Sequence, residues 1–260
     1  EDLLKSLVCA GLLVKTLSNP LNKNQKIRLK SLGVSVNSIS ISRNSLNIIH
    51  DIQIFIKIFF AYKKIKPDIV LSYTIKPVIW GGVASRFTKV DFYALITGLG
   101  FTFHGDSLKR RVLTSLVIFL YKISLKKSKA VIFQNKDNRD IFVNKGIVPF
   151  SKTCIVNGSG VDTVKFNVVK FPKNDIRFLC ISRLLGEKGL REYAEAARIV
   201  KDKFPNVEFD LVGSEDSSPD AISLSEVDNW ADCINYRGPS SDVRKYIKEC
   251  HVYVLPSYHE

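Results

Sequence analysis

The sequence has no methionine, no C-x-x-C pair and no apolar run long enough to cross a bilayer. With Glu1 first and Glu260 last, both ends read as cut, and the chain is expected to be part of a longer protein. Its five cysteines (Cys9, Cys154, Cys180, Cys233, Cys250) are scattered and odd in number. That pattern argues against a disulfide framework and for a reduced, cytoplasmic setting. Cys180 and Cys250 lie in or beside apolar runs and read as small buried hydrophobes. The longest apolar run, Val112 to Tyr121, falls far short of the roughly 20 residues a spanning helix needs, and no signal peptide is visible. His50, His104, His251 and His259 lack ligand spacing, so no metal site is expected. There is no P-loop, no G-x-G-x-x-G after a strand and no G-x-S-x-G elbow. Recognition-helix, RRM and OB signatures are also missing, so nucleic acid is not an expected partner.

What is present is a well-furnished α/β pattern. At 260 residues and 45% apolar content the chain can form one large domain or two ordinary ones. The charge is unevenly shared. Residues 1–170 hold 27 Lys+Arg against 9 Asp+Glu (+18), and residues 171–260 hold 12 against 16 (−4). A basic half suits an anionic membrane surface or a phosphorylated substrate, while a lysine-rich, AT-biased genome or plain solubility explains the same count.

Apolar strand runs alternate with helical patterns along the whole chain. Strands are expected at Leu12–Leu17, Val34–Ile41, Ile69–Tyr73, Phe92–Ile96, Ala130–Phe133 and Thr153–Val156. Between them, Asn47–Lys64 reads as an amphipathic helix with Ile48, Ile49, Ile52, Phe55, Ile56, Phe59 and Phe60 on its apolar side. Leu108–Leu125 has helical spacing with basic flanks. The basic segment Lys109–Lys129 reads first as an ordinary helix packed on a sheet, and second as an interfacial contact with anionic lipid. Strand, helix, strand in succession predicts parallel sheets with right-handed crossovers. Val168–Asn174, with Pro172, reads as a linker. The expected domains are 1–167, 168–175 as linker, and 176–260. In the second domain strands are expected at Phe178–Ile181, Val207–Val212, Cys233–Tyr236 and Val252–Leu255, with Asp242 capping a helix.

The stretch Ile176–Gly189 organises the second half. Phe178–Ile181 has the pattern of a doubly buried strand, followed by a loop with Arg183, Glu187 and Lys188 and a helix from Leu190. Strand C-termini and helix N-termini converge at such a loop. Two cations there fit an anionic ligand, diphosphate being the economical choice. Spacing alone fits a solvated loop with ordinary charges equally well. Thr97-Gly98-Leu99-Gly100 after a strand brings backbone close to a ligand or makes a tight turn.

As a set, these pieces resemble the GT-B glycosyltransferases of the GT4-like group. Ser182-Arg183-Leu184 with Glu187-Lys188-Gly189 is similar to that group's "GRL…EKG" loop. Leu211-Val212-Gly213 and Tyr236-Arg237-Gly238 are similar to its strand ends, and Asn157-Gly158-Ser159-Gly160-Val161-Asp162 to its interdomain segment. Val254–Glu260 resembles the start of its paired-glutamate motif, the second glutamate falling beyond Glu260. Tyr73-Thr74-Ile75-Lys76-Pro77 and Ile96–Gly100 look like a narrower branch, bacterial transferases acting on undecaprenyl-diphosphate-linked sugars for O-antigen, capsule or glycoprotein glycans.

The resemblance implies two Rossmann-like doubly wound domains facing each other across a cleft, the first lacking its first strand and glycine-rich loop and the second incomplete. It implies retaining transfer of a hexose or N-acetylhexosamine from a nucleotide sugar, UDP-linked, to a lipid-diphosphate-linked sugar, with no cofactor and no obligatory metal. The enzyme would be peripheral at the inner face of the cytoplasmic membrane. Arg183 and Lys188 would neutralise the leaving diphosphate. Glu260 would hold donor hydroxyls, and Gly213 and Arg237 would line the donor side. Lys76, Thr97, Gly98, His104 and Asn157 would lie on the acceptor side. Many members place a His where this chain has Gly98, the nearest here being His104. An epimerase or phosphorylase of the same fold, and an inactive nucleotide-sugar-binding remnant, are the other readings.

Overall fold

The computed structural model describes residues 2–41, 48–98, 108–173 and 175–258. The chain divides into two compact units, Glu1–Gly160 and Val161–Glu260. The division falls ahead of the expected boundary at 167. Residues 161–173 form no strand or long helix, and the Lys165 charge acts on the exposed Asp242 carboxylate of the second unit. That interaction associates residues just ahead of the expected linker with the second unit.

The first unit runs α1 (Asp2–Cys9), β1 (Lys15–Ser18), α2 (Lys23–Ser31), β2 (Ser35–Ser38), α3 (Ile48–Ile65), β3 (Ile69–Tyr73), α4 (Ile75–Thr88), β4 (Asp91–Ile96), α5 (Leu108–Leu125), β5 (Ala130–Phe133), α6 (Lys136–Asn144) and β6 (Thr153–Ile155). All its pairings are parallel, as the alternation of elements predicts. The strands form two sheets rather than one, β1-β2 and β3-β4-β5-β6. Strands β1 and β2 are each 4 residues long, shorter than their apolar alternation suggests.

Alternation is clean in β4 and β5, where every second residue is fully buried. Phe92, Ala94, Val131 and Phe133 meet α5 and α6 through Tyr121, Leu125 and Phe142. The Phe142 ring makes edge contacts with Tyr121 and Phe133 at centroid distances of 5.1 and 5.3 Å. Truncating a fully buried phenyl ring of this kind costs about 3–5 kcal/mol. Burial also pushes the Tyr121 hydroxyl well above its ordinary pKa. In α3 the core side is not the one expected: of the apolar residues assigned to it from Ile49 to Phe60 none is fully buried, Phe55 and Phe59 being only partly so. Ile54, Ile58 and Tyr62 are buried against Ile39 and Ala84, whereas Ile49, Ile52, Ile56 and Phe60 are exposed.

The second unit runs β7 (Arg177–Ile181), α7 (Leu190–Lys203), β8 (Glu208–Val212), α8 (Leu224–Asp228), β9 (Asn235–Tyr236), α9 (Arg244–Glu249) and β10 (Val252–Tyr253), with a 3-10 turn at Gly186–Lys188. Its parallel sheet has the order β10-β7-β8-β9. The chain therefore moves outward from β7 to β9, then crosses back past β7 to β10. Right-handed crossovers place α7 and α9 on opposite faces, so the strand order reverses between β7 and β10.

Leu190, Tyr193, Ala194 and Ala197 form the buried side of α7, on Cys180, Phe209 and Leu211. Burial pushes the Cys180 thiol up to about 11, so it sits in the core as an inert small hydrophobe. Cys250 is only partly buried. Helix α9 begins at Arg244 with Val243, not Asp242, at its boundary. The Asp242 carboxylate still accepts the Arg244 backbone N–H at 3.1 Å, and the guanidinium of the same residue captures it at 2.8 and 2.6 Å.

Candidate active site

In open parallel sheets, ligands bind outside the carboxyl ends of the strands where the order reverses. In the second unit that point lies between the loop after β7 (182–189) and the segment after β10 (254–258). The two are fastened together. The Tyr258 N–H donates to Glu187 O at 3.0 Å, and the Tyr258 hydroxyl donates to the Glu192 carboxylate on α7. That bond lowers the Glu192 pKa and raises that of Tyr258. Gly189 has φ +66°, and a Cβ there would lie 2.1 Å from Pro256 O, so the left-handed turn and the close approach both require glycine. Ser257 Oγ is enclosed without a hydrogen-bond partner among the described residues.

The loop is equally fixed on its other side. The Leu184 N–H donates to Ser214 O at 2.9 Å, Ile222 N–H to Leu184 O at 3.0 Å and Gly186 N–H to Asp220 O at 2.9 Å. The Asp220 carboxylate accepts the Glu187 N–H at 2.6 Å. At the end of β8 a Cβ on Gly213 would stand 1.7 Å from Ser182 O, inside any van der Waals contact. Gly213 is thus a packing requirement that holds the two strand ends together.

On this rigid loop Arg183 points outward, its side chain 57% exposed, in an ion pair with Asp216 at 2.6 Å. Hydrogen bonding from Ser218, then the Arg183 guanidinium, holds the Asp216 carboxyl below its ordinary value. An exposed pair of this kind is worth only about 0–1 kcal/mol. A bidentate phosphate contact on the same guanidinium outweighs it. Lys188 closes the 3-10 turn, and its ammonium acts on the Cys180 thiol at the end of β7. The structure brings Arg183, Lys188 and Gly213 to one strand edge, beside Pro256–Tyr258.

Arg237 follows β9, but its guanidinium reaches back to Asp210, with Nε and a terminal nitrogen both 2.9 Å from Oδ1. Asp210 is 1% exposed and also faces Arg177 at 3.5 Å. Neutralising a buried carboxylate is the role visible for Arg237. Glu260 and His104 lie outside the described residues.

In the first unit the carboxyl edge of β3-β4-β5-β6 gathers Lys76, Thr97, Gly98 and Asn157. Lys76, in the first turn of α4, is ion-paired with Asp51 of α3 at 2.8 Å and is 13% exposed. Just before it Thr74 holds φ +67°, ψ 157°, a backbone region that a β-branched residue enters only under strain. Thr97 and Asn157 are exposed, and a Cβ on Gly98 would meet nothing within 4 Å.

Sequence reasoning missed Asp216, Asp220, Tyr258 and the Asp210–Arg237 pair. The acidic stretch from Glu215 to Asp220 was the available signal for the first two.

Residues 3–135 match the model of a family described as glycosyl transferase 4-like, half of the chain. The chain belongs to the glycosyl transferase 4-like family. Residues 161–260 match glycosyl transferases group 1, covering the second unit. The chain is 30% identical over 247 residues to the N,N'-diacetylbacillosaminyl-diphospho-undecaprenol alpha-1,3-N-acetylgalactosaminyltransferase of Campylobacter jejuni, covering 90% of this chain and 64% of that protein. It is 26% identical over 230 residues to the UDP-Gal:alpha-D-GlcNAc-diphosphoundecaprenol alpha-1,3-galactosyltransferase of Escherichia coli, covering 83% and 58%. The chain therefore spans less than two thirds of the length of either relative. Among solved structures, a glycosyltransferase from Rickettsia africae superimposes with TM-score 0.69 at 18% identity, over 98% of this chain and 68% of that one. Anabaena HepE, solved with UDP-glucose, gives TM-score 0.69 at 15% identity over 93% and 66%. This family member thus has the GT-B fold of those neighbours.

Proposed function

We propose that the protein transfers a hexose or N-acetylhexosamine from a UDP-sugar to a sugar carried on a lipid diphosphate, with retention and without an obligatory metal or cofactor, in bacterial surface-glycan synthesis at the inner face of the cytoplasmic membrane. The observation that carries this reading is the loop after β7, where Arg183 and Lys188 stand on a backbone pinned from both sides at the reversal of strand order. The relatives' names, which specify N-acetylgalactosamine or galactose transfer onto undecaprenyl-diphosphate-linked sugars, support the substrate class.

The physical task is to stabilise charge that grows as the glycosidic bond to the diphosphate breaks. The forked guanidinium of Arg183 grips two phosphate oxygens, and the Lys188 ammonium adds a point charge. Because the loop is already fixed, little reorganisation is needed as that charge develops. Asp216 holds Arg183 until donor binds, and the weakness of an exposed pair lets the diphosphate replace it. Glu260 is the proposed partner of donor hydroxyls, and Thr97, Gly98 and Asn157 belong to the acceptor side.

The test is transfer of labelled sugar from UDP-sugars to a lipid-linked acceptor by the intact protein. Arg183→Ala is expected to lower turnover by on the order of 100-fold or more with an unchanged melting temperature. Near wild-type transfer by that variant overturns the assignment of the diphosphate to this loop.

A further inference from the structure

The 3-10 turn Gly186–Lys188 ends on a cation and has no cap of its own. The residue at its N-cap is Leu185, a buried apolar side chain that offers no acceptor. The first N–H groups of a helical turn have no partner inside it. Here one distant residue takes both of them. The Gly186 N–H donates to Asp220 O at 2.9 Å, and the Glu187 N–H donates to the Asp220 carboxylate, 33 residues away, at 2.6 Å. Main chain and side chain of Asp220 together do for this turn what a local Asp or Asn does at an ordinary N-cap.

Gly186 carries the imprint of the same contact. It has no positive φ, so the shape of the turn does not call for glycine. A Cβ there would nevertheless lie 2.7 Å from Asp220 Oδ1 and 2.9 Å from Arg191 Nη1. What excludes a side chain at Gly186 is the nearness of the capping carboxylate.

The segment after β8 delivers Asp220 to this place and holds it there. Ala221 forms an antiparallel bridge with Leu185, and the Ile222 N–H donates to Leu184 O at 3.0 Å. The Ile222 side chain is buried with Leu184 and Leu190 in the core of the second unit. On the far side the Arg191 guanidinium grips both Glu226 oxygens at 2.5 and 3.0 Å. Asp220 therefore cannot drift from the turn without unseating a core residue. Asp216, which pairs with Arg183, belongs to the same segment. One stretch of chain thus reaches both cation-bearing parts of the loop.

We propose that Asp220 is a positioning residue for the diphosphate. By capping the turn it fixes the direction in which Lys188 leaves the backbone, and so where the ammonium meets phosphate charge. This deepens the proposed function and rests on its assignment of the diphosphate to this loop. Asp220 acts through the backbone, because a carboxylate facing the phosphates directly would repel them. UDP carries the charge in full once the glycosidic bond has broken, whereas a UDP-sugar does not yet carry it. A misdirected Lys188 therefore weakens UDP more than UDP-sugar, and lowers kcat more than it raises the donor KM.

The experiment measures UDP binding by calorimetry and donor kinetics on the intact protein, for wild type, Asp220→Ala, Asp220→Asn and Gly186→Ala. Asp220→Ala is expected to lower both UDP affinity and kcat about tenfold, with the donor KM within about threefold of wild type. Asp220→Asn keeps an acceptor oxygen for the Glu187 N–H and should stay within about threefold of wild type throughout. Gly186→Ala displaces the carboxylate while leaving Asp220 in the chain, and should resemble Asp220→Ala. The two substitutions together should cost no more than either alone, since both remove one contact. If Asp220→Ala does not fold, Gly186→Ala and Asp220→Asn carry the test. The proposal is overturned if Asp220→Ala and Gly186→Ala bind UDP and turn over as wild type does, or if their loss lies in KM alone. It is also overturned if Asp220→Asn is as impaired as Asp220→Ala, which would assign the effect to charge and not to the cap. A wild type that binds UDP but transfers no sugar removes the proposed function, and UDP binding by the variants then decides the role of Asp220.

Discussion

The carboxyl edges of the two units are built in opposite ways. After β7 and β8 the backbone is locked, with Gly213 against Ser182 O, Gly189 against Pro256 O and the Asp220 carboxylate on Glu187 N–H. After β4 and β6 it is open, since added Cβ atoms at Gly98, Gly158 and Gly160 would touch nothing within 4 Å. Under the proposed function, the locked edge would hold the diphosphate of a nucleotide sugar and the open edge would leave room for acceptors to differ. Pre-organisation would then be concentrated where charge develops.

The contrast can be broken from either side. The largest effect is expected from Gly213→Ala, whose methyl cannot coexist with Ser182 O without parting β7 from β8. That variant should lose the cooperative unfolding of the second unit, whereas Gly98→Ala should melt within about 0.5 kcal/mol of wild type. Equal stability of the two would erase the distinction between edges. Next in size is Arg237→Ala, which strips both nitrogens from Asp210 Oδ1 and leaves the buried carboxylate only Arg177, at 3.5 Å, as a charge partner. A loss of about 1–3 kcal/mol in urea unfolding is expected. A variant that instead unfolds like wild type but binds donor poorly would return Arg237 to the donor side.

The smallest effect concerns Asp216. Asp216→Asn should change the donor KM by no more than about fivefold, since an exposed pair is worth at most about 1 kcal/mol. Because its carboxyl sits below the ordinary value of 3.8, its contribution to stability is complete above pH 3.8 and is lost as pH falls further. Asp216→Asn should therefore flatten the acid limb of the urea midpoint below pH 4 and leave pH 5–8 untouched. An unchanged acid limb would remove Asp216 from the loop's electrostatics.

How much of this was legible in the sequence follows the range of the interactions. Phe178–Ile181 as a buried strand, the cation-bearing loop after it and the helix from Leu190 depend on local periodicity, and all three stand as read. Helix α5 matches from end to end for the same reason. Helix α8 was passed over although Ser223 and Glu226 carry the spacing of a helix start, and Ser223 Oγ does accept the Glu226 N–H at 3.2 Å. Asp210 with Arg237 and Arg183 with Asp216 are partners 27 and 33 residues apart, joined only when the sheet assembles. The core side of α3 was misassigned because Ile52, Ile56 and Phe60 are as apolar as Ile54 and Ile58. Which of them meets the core is decided by β2, β3 and α4, not by α3 itself. The split of the first unit into two sheets is likewise a product of tertiary pairing.

The central claim is that the loop from Ser182 to Gly189 holds a diphosphate. Calorimetric titration of the intact protein with UDP and with uridine, repeated on Arg183→Ala/Lys188→Ala, tests it most directly. The account predicts that wild type binds UDP far more tightly than uridine, and that the double variant binds the two alike while melting as wild type does. If the double variant retains the wild-type preference for UDP, the phosphates are held elsewhere and the account is contradicted.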